Sequence, residues 1–475
     1  MLTVGFARSA LPSVPLRAGH RMFAVVVGLA AALRVVTMLG YRPAQLYWGD
    51  SFSYLHLAAH PEPSTGFRPP GYPLLLALLR PFHSIELVVA VQHAMGLAVG
   101  VLIYALLRRA SLPAWAATLA AVPGLFDASF LRLEHAVLSD MLLIFLVVAA
   151  LAVITWRPVV SPRAAVAAGL LLGWAGLTRT VAVPLLGLFV LYLVVRRAGW
   201  RPVVALALAG VLPLAAYAAW YHAHHGRYAL SGSDGVALWA RTMTFADCSV
   251  IRPPAAEARL CPNGTVVDAA SEYIWAPGSA INLLPGGRDG NNDLARSFAL
   301  RAIAAQPLDY LADVARDTAL TFAWTPVPHP ARVTPAFGFA RGAWGLPAYP
   351  LVEQVRRDYD PDLSGLRSVE PYASFLIAYQ YPAYLRGPFI AAILLLGGAG
   401  APLARRSAAL PWLTAVALLV VPVAVLDFDH RYVLPVIPVA CLAAGLAGAD
   451  LRGRAGRNPG KRRWQAVRLP AGRTE

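Results

Sequence analysis

Charged side chains are scarce in this chain. Asp, Glu, Lys and Arg make up 14% of the 475 residues, whereas soluble domains usually carry about 25%. Hydrophobic residues make up 58% of the sequence, and the mean hydropathy is +0.56. Several apolar runs approach the roughly 20 residues that cross a bilayer as a helix. This composition excludes an ordinary soluble domain and predicts a polytopic membrane protein.

Acidic residues are fewer than basic ones, with 25 Asp and Glu against 41 Lys and Arg, a net charge of +16. Such an excess can indicate nucleic-acid binding. Here, however, the basic residues cluster beside the apolar runs, as the positive-inside rule predicts for cytoplasmic loops. We therefore expect the lipid bilayer as a partner and no nucleic acid.

The chain has three cysteines, and Cys248 and Cys261 are the only two in a long polar insertion. A disulfide between them is expected if the insertion lies outside the cytoplasm, and two free thiols are the alternative. The spacing of His222, His224 and His225 resembles a metal site only loosely, without acids or cysteines beside them. A divalent metal is thus possible but not supported, and no other cofactor is predicted.

The apolar runs predict about ten transmembrane helices. The second, fourth and sixth runs are each followed by basic residues, which places those ends in the cytoplasm and, by alternation, both termini as well. The predicted spans are 22–40, 85–107, 113–126, 136–156, 164–177, 181–195, 202–221, 381–403, 409–425 and 433–449.

The pattern divides the chain into four parts. Residues 1–221 form a module of about seven spans, and residues 376–450 form a second module of about three spans. Residues 222–375 form an extracytoplasmic insertion of mixed or helical structure, with helices predicted at 294–306 and 307–324 and loop with short helical pieces at 331–371. Residues 451–475 form a basic cytoplasmic tail.

Most ionic residues near the apolar runs fall on the predicted outer side. They come from the stretches 47–54 and 67–73 and from the turns before the fourth, sixth and last runs, and they are Asp50, Arg68, Asp127, Arg132, Glu134, His135, Asp140, Arg179, Asp427, Asp429, His430 and Arg431. If the spans form one bundle, these loops converge over one outer cavity. The centres of the runs consist of Ala, Val, Leu and Gly, with almost no ionisable residue expected there.

This set of side chains suits a lipid phosphate. Arginine binds phosphate through paired hydrogen bonds from its planar guanidinium. An apolar wall accommodates a lipid, and an isolated acid such as Asp50 can take a proton from an incoming hydroxyl. Plainer explanations exist, because outer arginines can extend to the membrane interface. The aromatic side chains of Tyr47, Trp48 and Tyr54 can belong to an interfacial belt.

Four motifs, in this order, resemble the GT-C superfamily of membrane glycosyltransferases, in particular its protein O-mannosyltransferase-like and aminoarabinose-transferase-like branches. They are Gly49-Asp50, Arg68-Pro69-Pro70-Gly71-Tyr72-Pro73, Glu134-His135 followed by Asp140, and Leu177-Thr178-Arg179. The turn His430-Arg431-Tyr432 is also similar to members of this group. The resemblance covers residues 1–221 and the end of the chain, and no motif in the insertion matches.

The resemblance implies roles for individual residues. The first-loop aspartate of the family is the catalytic base, which carries over to Asp50, and the second-loop acid carries over to Glu134 or Asp140. The candidates for the donor phosphate are Arg68, Arg179, His430 and Arg431. The candidates for an acceptor or sugar platform are Tyr47, Trp48 and Tyr54. Many relatives pair two acids in these loops, but Ser51 follows Asp50 here and His135 follows Glu134, which argues against a metal site.

The resemblance further implies an all-α, GT-C-like fold in the cell membrane. The expected activity is transfer of a hexosyl or pentosyl group from a polyprenyl-phosphate donor to an acceptor hydroxyl on the extracytoplasmic face. A single base without a covalent partner is typical of inversion. The acceptor can be a glycan, a lipid or a protein. The alternatives are a transporter or flippase of lipid-linked saccharides, which calls for ionisable residues near the span midplanes, and a non-catalytic membrane scaffold.

Overall fold

The computed structural model describes residues 16–64, 66–265, 267–331, 338–400 and 408–455, which are mostly helical. The helices up to the insertion are α1 Leu16–Gly40, α2 Trp48–Ala59, α3 Gly71–Leu79, α4 Ile85–Arg109, α5 Ala114–Phe126, α6 Ala128–Glu134, α7 Asp140–Thr155, α8 Pro162–Thr178, α9 Val183–Val195 and α10 Trp200–His225. Single 3-10 turns occupy Arg80–Phe82 and Thr180–Ala182.

The second half adds shorter helices and one small sheet. The helices are α11 Asp234–Thr242, α12 Cys248–Ile251, α13 Ala255–Ala258, α14 Glu272–Trp275, α15 Gly287–Gly290, α16 Asn292–Ala305, α17 Pro307–Ala319, α18 Pro350–Asp358, α19 Tyr372–Tyr379, α20 Gly387–Gly400, α21 Ala409–Val425, α22 His430–Val433 and α23 Val436–Ala455. Further 3-10 turns occupy Ala280–Leu283 and Leu320–Phe322. The antiparallel sheet has the order β1-β3-β2, with β1 Tyr41–Arg42, β2 Ala343–Trp344 and β3 Leu366–Ser368.

Within the described residues, four helices are long and apolar enough to cross a membrane: His20–Gly40, Ile85–Arg109, Trp200–His225 and His430–Arg452. The pair α5 and α6, bent by 57°, would make a fifth span, and four shorter apolar helices accompany them. Each predicted run contains a helix. The helical polytopic membrane protein is therefore confirmed, whereas the count of ten spans and the cytoplasmic termini stay predictions. Residues 401–403 of the predicted eighth span and residues 456–475 of the basic tail lie outside the described residues.

The predicted outer loops are more helical than the sequence pattern indicated. The stretch around Asp50 is not a loop, because Asp50 lies in the first turn of α2. That helix forms since Phe52, Leu55 and Ala58 bury a common apolar face, and an acid in the first turn interacts favourably with the helix dipole. The helices α3 and α6 likewise occupy segments expected to be loop.

The insertion does not have a single hydrophobic core. Residues 236–302 enclose their own apolar cluster around Trp239 and Phe298, and a disulfide joins Cys248 to Cys261 beside it. The predicted helices at 294–306 and 307–324 correspond to α16 and to α17 with its following 3-10 turn. Residues beyond α16 instead pack into the clusters of the helical bundle. The stretch 338–371 contains α18 and two strands, while 332–337 lie outside the described residues.

Close packing between α8 and α10 fixes the C-terminal end of α8. A Cβ at Gly169 would lie 2.5 Å from the Leu206 carbonyl oxygen, and one at Gly173 would lie 2.8 Å from that of Gly210. Such small residues four apart allow helix backbones to approach closely in a membrane. The same packing sets the position of Arg179, which directly follows α8.

Candidate functional site

Five charged side chains from distant parts of the chain meet at the predicted outer ends of the helices, and we name them the outer charge cluster: Asp50, Arg68, Asp140, Arg179 and Arg431. Arg68 Nη2 donates to Asp50 Oδ1, and Arg179 Nη1 donates to Asp140 Oδ1. Arg431 lies between these pairs, with Nη1 3.6 Å from Asp50 Oδ2 and Nε 3.7 Å from Asp140 Oδ1. Arg431 therefore joins two ion pairs into one cluster.

Aromatic rings support the arginines of this cluster. The guanidinium carbons of Arg179 and Arg431 lie 4.9 and 5.3 Å from the centre of the Tyr432 ring. Arg431 also lies 5.4 Å from the Tyr47 ring. Cation–π contacts of this kind hold a guanidinium in place while leaving its N–H groups free to donate. The motif His430-Arg431-Tyr432 contains Tyr432, but Tyr432 was not among the predicted site residues, although its position next to Arg431 was the available signal.

The two acids are held relative to each other by the segment that precedes α7. Ser51 Oγ, next to Asp50, donates to the Val137 carbonyl oxygen at 2.8 Å. The Tyr54 hydroxyl lies 3.1 Å from Ser139 Oγ, one residue before Asp140. These two contacts tie α2 to the turn that starts α7. Tyr54 is buried, so it acts in this link rather than as an exposed platform, and the Trp48 side chain lies outside the described structure.

A helix cap fixes the start of α22, the short helix that contributes Arg431 to the cluster. Asp429 Oδ1 accepts a hydrogen bond of 2.9 Å from the Arg431 backbone N–H, which satisfies a donor that the helix leaves free. The ring of His430 lies 5.6 Å from that of Tyr384. The structure therefore places Arg431 among the acids, whereas His430 contacts an aromatic ring.

The two acids differ in their access to solvent. The side chain of Asp50 is 31% exposed and that of Asp140 is 1% exposed. Burial alone would raise the pKa of Asp50, but the nearby Arg68 and Arg431 outweigh it and lower that pKa below the ordinary aspartate value. Asp50 is thus a carboxylate at neutral pH that an incoming hydroxyl can reach.

Several polar atoms of the cluster are buried without a hydrogen-bond partner in the described structure. They are Arg68 Nε, Asp140 Oδ2 and Arg431 Nε. Most buried polar atoms in folded proteins are paired, so each exception requires an explanation. The unpaired guanidinium donors Arg68 Nε and Arg431 Nε fit a site that receives an anionic ligand, because such donors form charge-assisted hydrogen bonds to anions.

Glu134 lies apart from this cluster, in a buried network inside the bundle. Its Oε1 accepts from Arg34 Nη2 at 2.6 Å, and its Oε2 lies 2.7 Å from His93 Nδ1. A Cβ at Gly96 would overlap Oε1, so this glycine makes room for the carboxylate. Both oxygens are occupied and the side chain is inaccessible. The geometry therefore favours Asp140 over Glu134 as the second acid of the site.

The expectation that the spans are almost free of ionisable groups was wrong for Arg34 and His93. Both are buried on long apolar helices, α1 and α4. Gln92, next to His93, donates to the carbonyl oxygens of Glu134 and Ala136 at 2.9 and 2.7 Å. These residues fix the position of the segment before α7 through contacts from α1 and α4. Single polar residues within apolar runs were the signal that could have found them.

The remaining outer candidates have structural partners elsewhere. Asp127 caps α6 through the Phe130 N–H at 3.0 Å and accepts from the Leu385 N–H at 2.7 Å. Arg132 donates to the Gln45 side chain and packs on Tyr41. His135 contacts His93 and the Tyr41 carbonyl oxygen. These groups secure the turn around α6 rather than line the cluster.

One group in the described residues has ligand atoms spaced for a metal ion: Asp317, His329 and Asp427, whose atoms lie within 4.8 Å of one another. These atoms already have protein partners. Asp427 accepts from the Ser271 N–H at 2.8 Å and lies 2.8 Å from His329 Nε2, while Arg241 donates to Asp317 at 2.5 Å. The residues fit a polar tether between the insertion and the last outer turn better than a metal site.

Gly71, in the Arg-Pro-Pro-Gly-Tyr-Pro motif, sits where α3 touches the end of α8. A Cβ there would lie 2.5 Å from the backbone carbon of Leu177 and from the nitrogen of Thr178. We expect Gly71→Ala to push these backbones apart at a cost of about 1–3 kcal/mol and to displace Arg179. The melting temperature of the purified protein should therefore fall. Gly187→Ala is the matched control, since a Cβ at Gly187 meets nothing within 4 Å.

Comparison with known proteins finds no matching family model and no matching curated protein. Among solved structures, the chain is similar to the S. cerevisiae protein O-mannosyltransferase Pmt1-Pmt2 complex bound to the sugar donor, with 16% identity, 54% of this chain and 38% of that chain covered, and a TM-score of 0.34. It is also similar to the oligosaccharyltransferase AglB from Archaeoglobus fulgidus in complex with an inhibitory peptide and a dolichol-phosphate, with 14% identity, 96% and 53% covered, and a TM-score of 0.41.

A third similar structure is ArnT from Cupriavidus metallidurans bound to undecaprenyl phosphate, with 17% identity, 95% of this chain and 81% of that chain covered, and a TM-score of 0.33. All three are GT-C glycosyltransferases, the superfamily that the sequence motifs resemble. The chain spans about half or less of the length of the first two. Because these identities and TM-scores are low, the proposals that follow depend on this chain's own residues.

Proposed function

We propose that this protein is a membrane glycosyltransferase that moves a sugar from a polyprenyl-phosphate donor to an acceptor hydroxyl on the extracytoplasmic face. The observation that carries the proposal is the outer charge cluster, in which Arg431 links two acid–arginine pairs at the ends of apolar helices. Arginines bind phosphate by paired, charge-assisted hydrogen bonds, and the helical bundle provides the apolar surroundings that a polyprenyl chain needs.

In this mechanism the arginines hold the donor phosphate and Asp50 acts on the acceptor. Asp50 takes the proton of the acceptor hydroxyl while that oxygen attacks the anomeric carbon. The bond from the anomeric carbon to the phosphate oxygen breaks, and the phosphate leaves with the electron pair. Arg68, Arg179 and Arg431 stabilise the charge that develops on it.

Donor binding would also make Asp50 a better base. In the free protein, Arg68 and Arg431 keep the pKa of Asp50 low. A bound phosphate competes for the same guanidinium groups, which weakens their hold on the carboxylate and raises its proton affinity. Asp140, which is buried and paired with Arg179, orients that arginine rather than meeting the acceptor. A single accessible base without a second nucleophilic carboxylate favours inversion at the anomeric carbon.

The ionisable residues within the spans give little support to the transporter alternative. Arg34 and His93 are both paired with Glu134 in a buried network. A transport pathway requires such groups to face a cavity that opens to water, whereas these three side chains are inaccessible.

Replacing Arg431 tests whether the cluster binds the donor phosphate. We expect Arg431→Gln to weaken polyprenyl-phosphate binding about ten- to hundredfold, since a hydrogen bond to a charged group contributes about 1.5–3 kcal/mol. Binding is measured by titration of the purified protein in nanodiscs. Arg227→Gln is the control, because Arg227 pairs with Asp293 and packs on Tyr221 outside the cluster. Equal affinity in all three proteins would contradict the proposed role of the cluster.

A further inference from the structure

A cavity of about 460 Å³ opens beside the start of α2. Its lining includes Gln45, Gly49 and Phe52 from α2 and the segment before it. Trp344, Gly345 and Tyr349, from the end of β2 and the segment that follows it, also line the cavity. Gly49 directly precedes Asp50 in the chain. The cavity is therefore lined by the residue that precedes the acid that the proposed function uses as its base.

Tyr349 packs against the helix that carries Asp50. Its ring lies 5.9 Å from that of Phe52 in an edge-on contact, and Phe52 and Asp50 both belong to α2. Burial raises the pKa of Tyr349, and the positive charge of Arg68 acts in the opposite direction. The cavity therefore borders the helix that carries the accessible acid of the outer charge cluster.

The lining indicates an uncharged ligand. Among the described residues, it contains no Asp, Glu, Lys, Arg or His side chain, so a charged group would lose its hydration without compensation. The lining contains the aromatic rings of Phe52, Trp344 and Tyr349, and the Tyr349 hydroxyl adds a polar group. The Gln45 side chain is already bonded to Arg132 and to the Leu46 carbonyl oxygen. The Trp344 side chain is 42% exposed, which leaves ring surface open to a ligand. Apolar walls with a few polar groups are typical of sites that bind small molecules.

The position of the cavity relative to α1 indicates that its ligand is the acceptor and not the donor lipid. The strand β1 follows α1 directly and pairs with β3, which in turn pairs with β2. Both β2 and β3 belong to the insertion. The cavity thus lies beyond the end of α1, on the side of the insertion, whereas a polyprenyl chain requires the hydrocarbon interior. A ligand in this cavity would approach Asp50 from the side of the insertion and not from between the apolar helices.

We propose that this cavity is the acceptor site and takes a neutral saccharide. Its ring packs against Trp344, and one of its hydroxyls reaches Asp50 past Gly49. The proposal rests on the proposed function and narrows the acceptor to an uncharged sugar. In the transfer step the acceptor O–H bond breaks, its proton passes to Asp50, the new glycosidic bond forms, and the phosphate departs with the electrons of the old bond.

Filling the cavity tests the proposal without any donor. Gly345 lines the cavity, and a Cβ at Gly345 meets nothing within 4 Å, so Gly345→Phe adds a ring at the cavity lining without pushing on backbone. The probes are methyl mannoside, methyl arabinoside, the charged methyl glucuronide and the apolar alcohol farnesol. Binding to the protein in nanodiscs is measured by saturation-transfer NMR and titration. Gly187→Phe is the control, because Gly187 is exposed on α9 with open space in front of it.

We expect at least one neutral glycoside to bind saturably and the glucuronide to bind at least tenfold more weakly. Gly345→Phe and Trp344→Ala should each weaken glycoside binding at least tenfold, whereas Gly187→Phe should leave it unchanged. Absence of saturable glycoside binding, binding of farnesol alone, or wild-type affinity in Gly345→Phe would overturn the proposal. Glycoside binding with no sugar transfer would instead count against the proposed function, so the two failures are distinguishable.

Discussion

Replacement of Asp50 by Asn is expected to lower the rate of sugar transfer by about 10²–10⁴-fold, the range that a positioned general base contributes. The amide has nearly the same shape but cannot accept the proton of the acceptor hydroxyl. Asp50 is the accessible acid of the outer charge cluster, whereas Asp140 is buried beneath Arg179. Transfer is measured as release of labelled polyprenyl phosphate by the purified variant, with its melting temperature recorded in parallel.

Asp358→Asn is a matched control for this variant. Asp358 has the same 31% exposure and pairs with His60 at 2.9 Å, away from the cluster. We expect this variant to retain wild-type transfer. An Asp50→Asn protein that folds and transfers at the wild-type rate would remove Asp50 from the mechanism.

The pH dependence of transfer follows from the lowered pKa of Asp50. The active form is the carboxylate, so activity is present above its pKa and is lost as the pH falls through it. In the free protein this loss, seen in kcat/KM, should lie below the ordinary aspartate value of about 4. Because donor phosphate would weaken the hold of Arg68 and Arg431 on Asp50, the acid limb of kcat should lie at higher pH than that of kcat/KM.

Replacement of Glu134 by Gln is the second change with a large expected effect, which is a loss of stability. Glu134→Gln leaves the Arg34 guanidinium buried among apolar helices without its counter-charge, which costs about 3–5 kcal/mol when a buried pair is broken. We expect a strongly reduced yield of folded protein and a lower melting temperature in detergent. Gly96→Ala should act in the same direction, since its methyl group would occupy the place of Glu134 Oε1.

Glu86→Gln is the control for this experiment. Glu86 is half exposed at the start of α4 and lies 3.4 Å from Arg42, and a surface pair contributes only about 0–1 kcal/mol. Arg34→Met combined with Glu134→Gln should recover most of the stability, because it removes the unpaired charge. A Glu134→Gln protein as stable as wild type would show that the network of Arg34, His93 and Glu134 does not stabilise the fold.

The positions of the outer charges were predictable because the apolar runs determine where the polar turns fall. Asp50, Arg179 and Arg431 each lie at or near the end of such a run, and bundling of the helices brings those ends together. The ordering of the motifs along the chain therefore placed all five members of the cluster among the outer candidates, but it did not separate them from the candidates that have other partners.

The distinction between Glu134 and Asp140 could not be predicted from the sequence. Only six positions separate them, and both precede the same apolar run. The short helix α6 is buried on all sides and turns Glu134 toward Arg34, 100 positions earlier in the chain. Asp140 starts the next helix and meets Arg179. Such a contact depends on how helices rotate against one another, and local residue patterns do not specify that rotation.

The most direct test of the central claim is sugar transfer by the wild-type protein itself. Purified protein in nanodiscs is incubated with labelled polyprenyl-phosphate sugars and neutral saccharide acceptors, and the product is analysed by NMR for its anomeric configuration. We predict release of one polyprenyl phosphate per glycosidic bond formed, with inversion at the anomeric carbon. Recovery of every donor intact, with the protein folded and the donor bound, would contradict the glycosyltransferase mechanism.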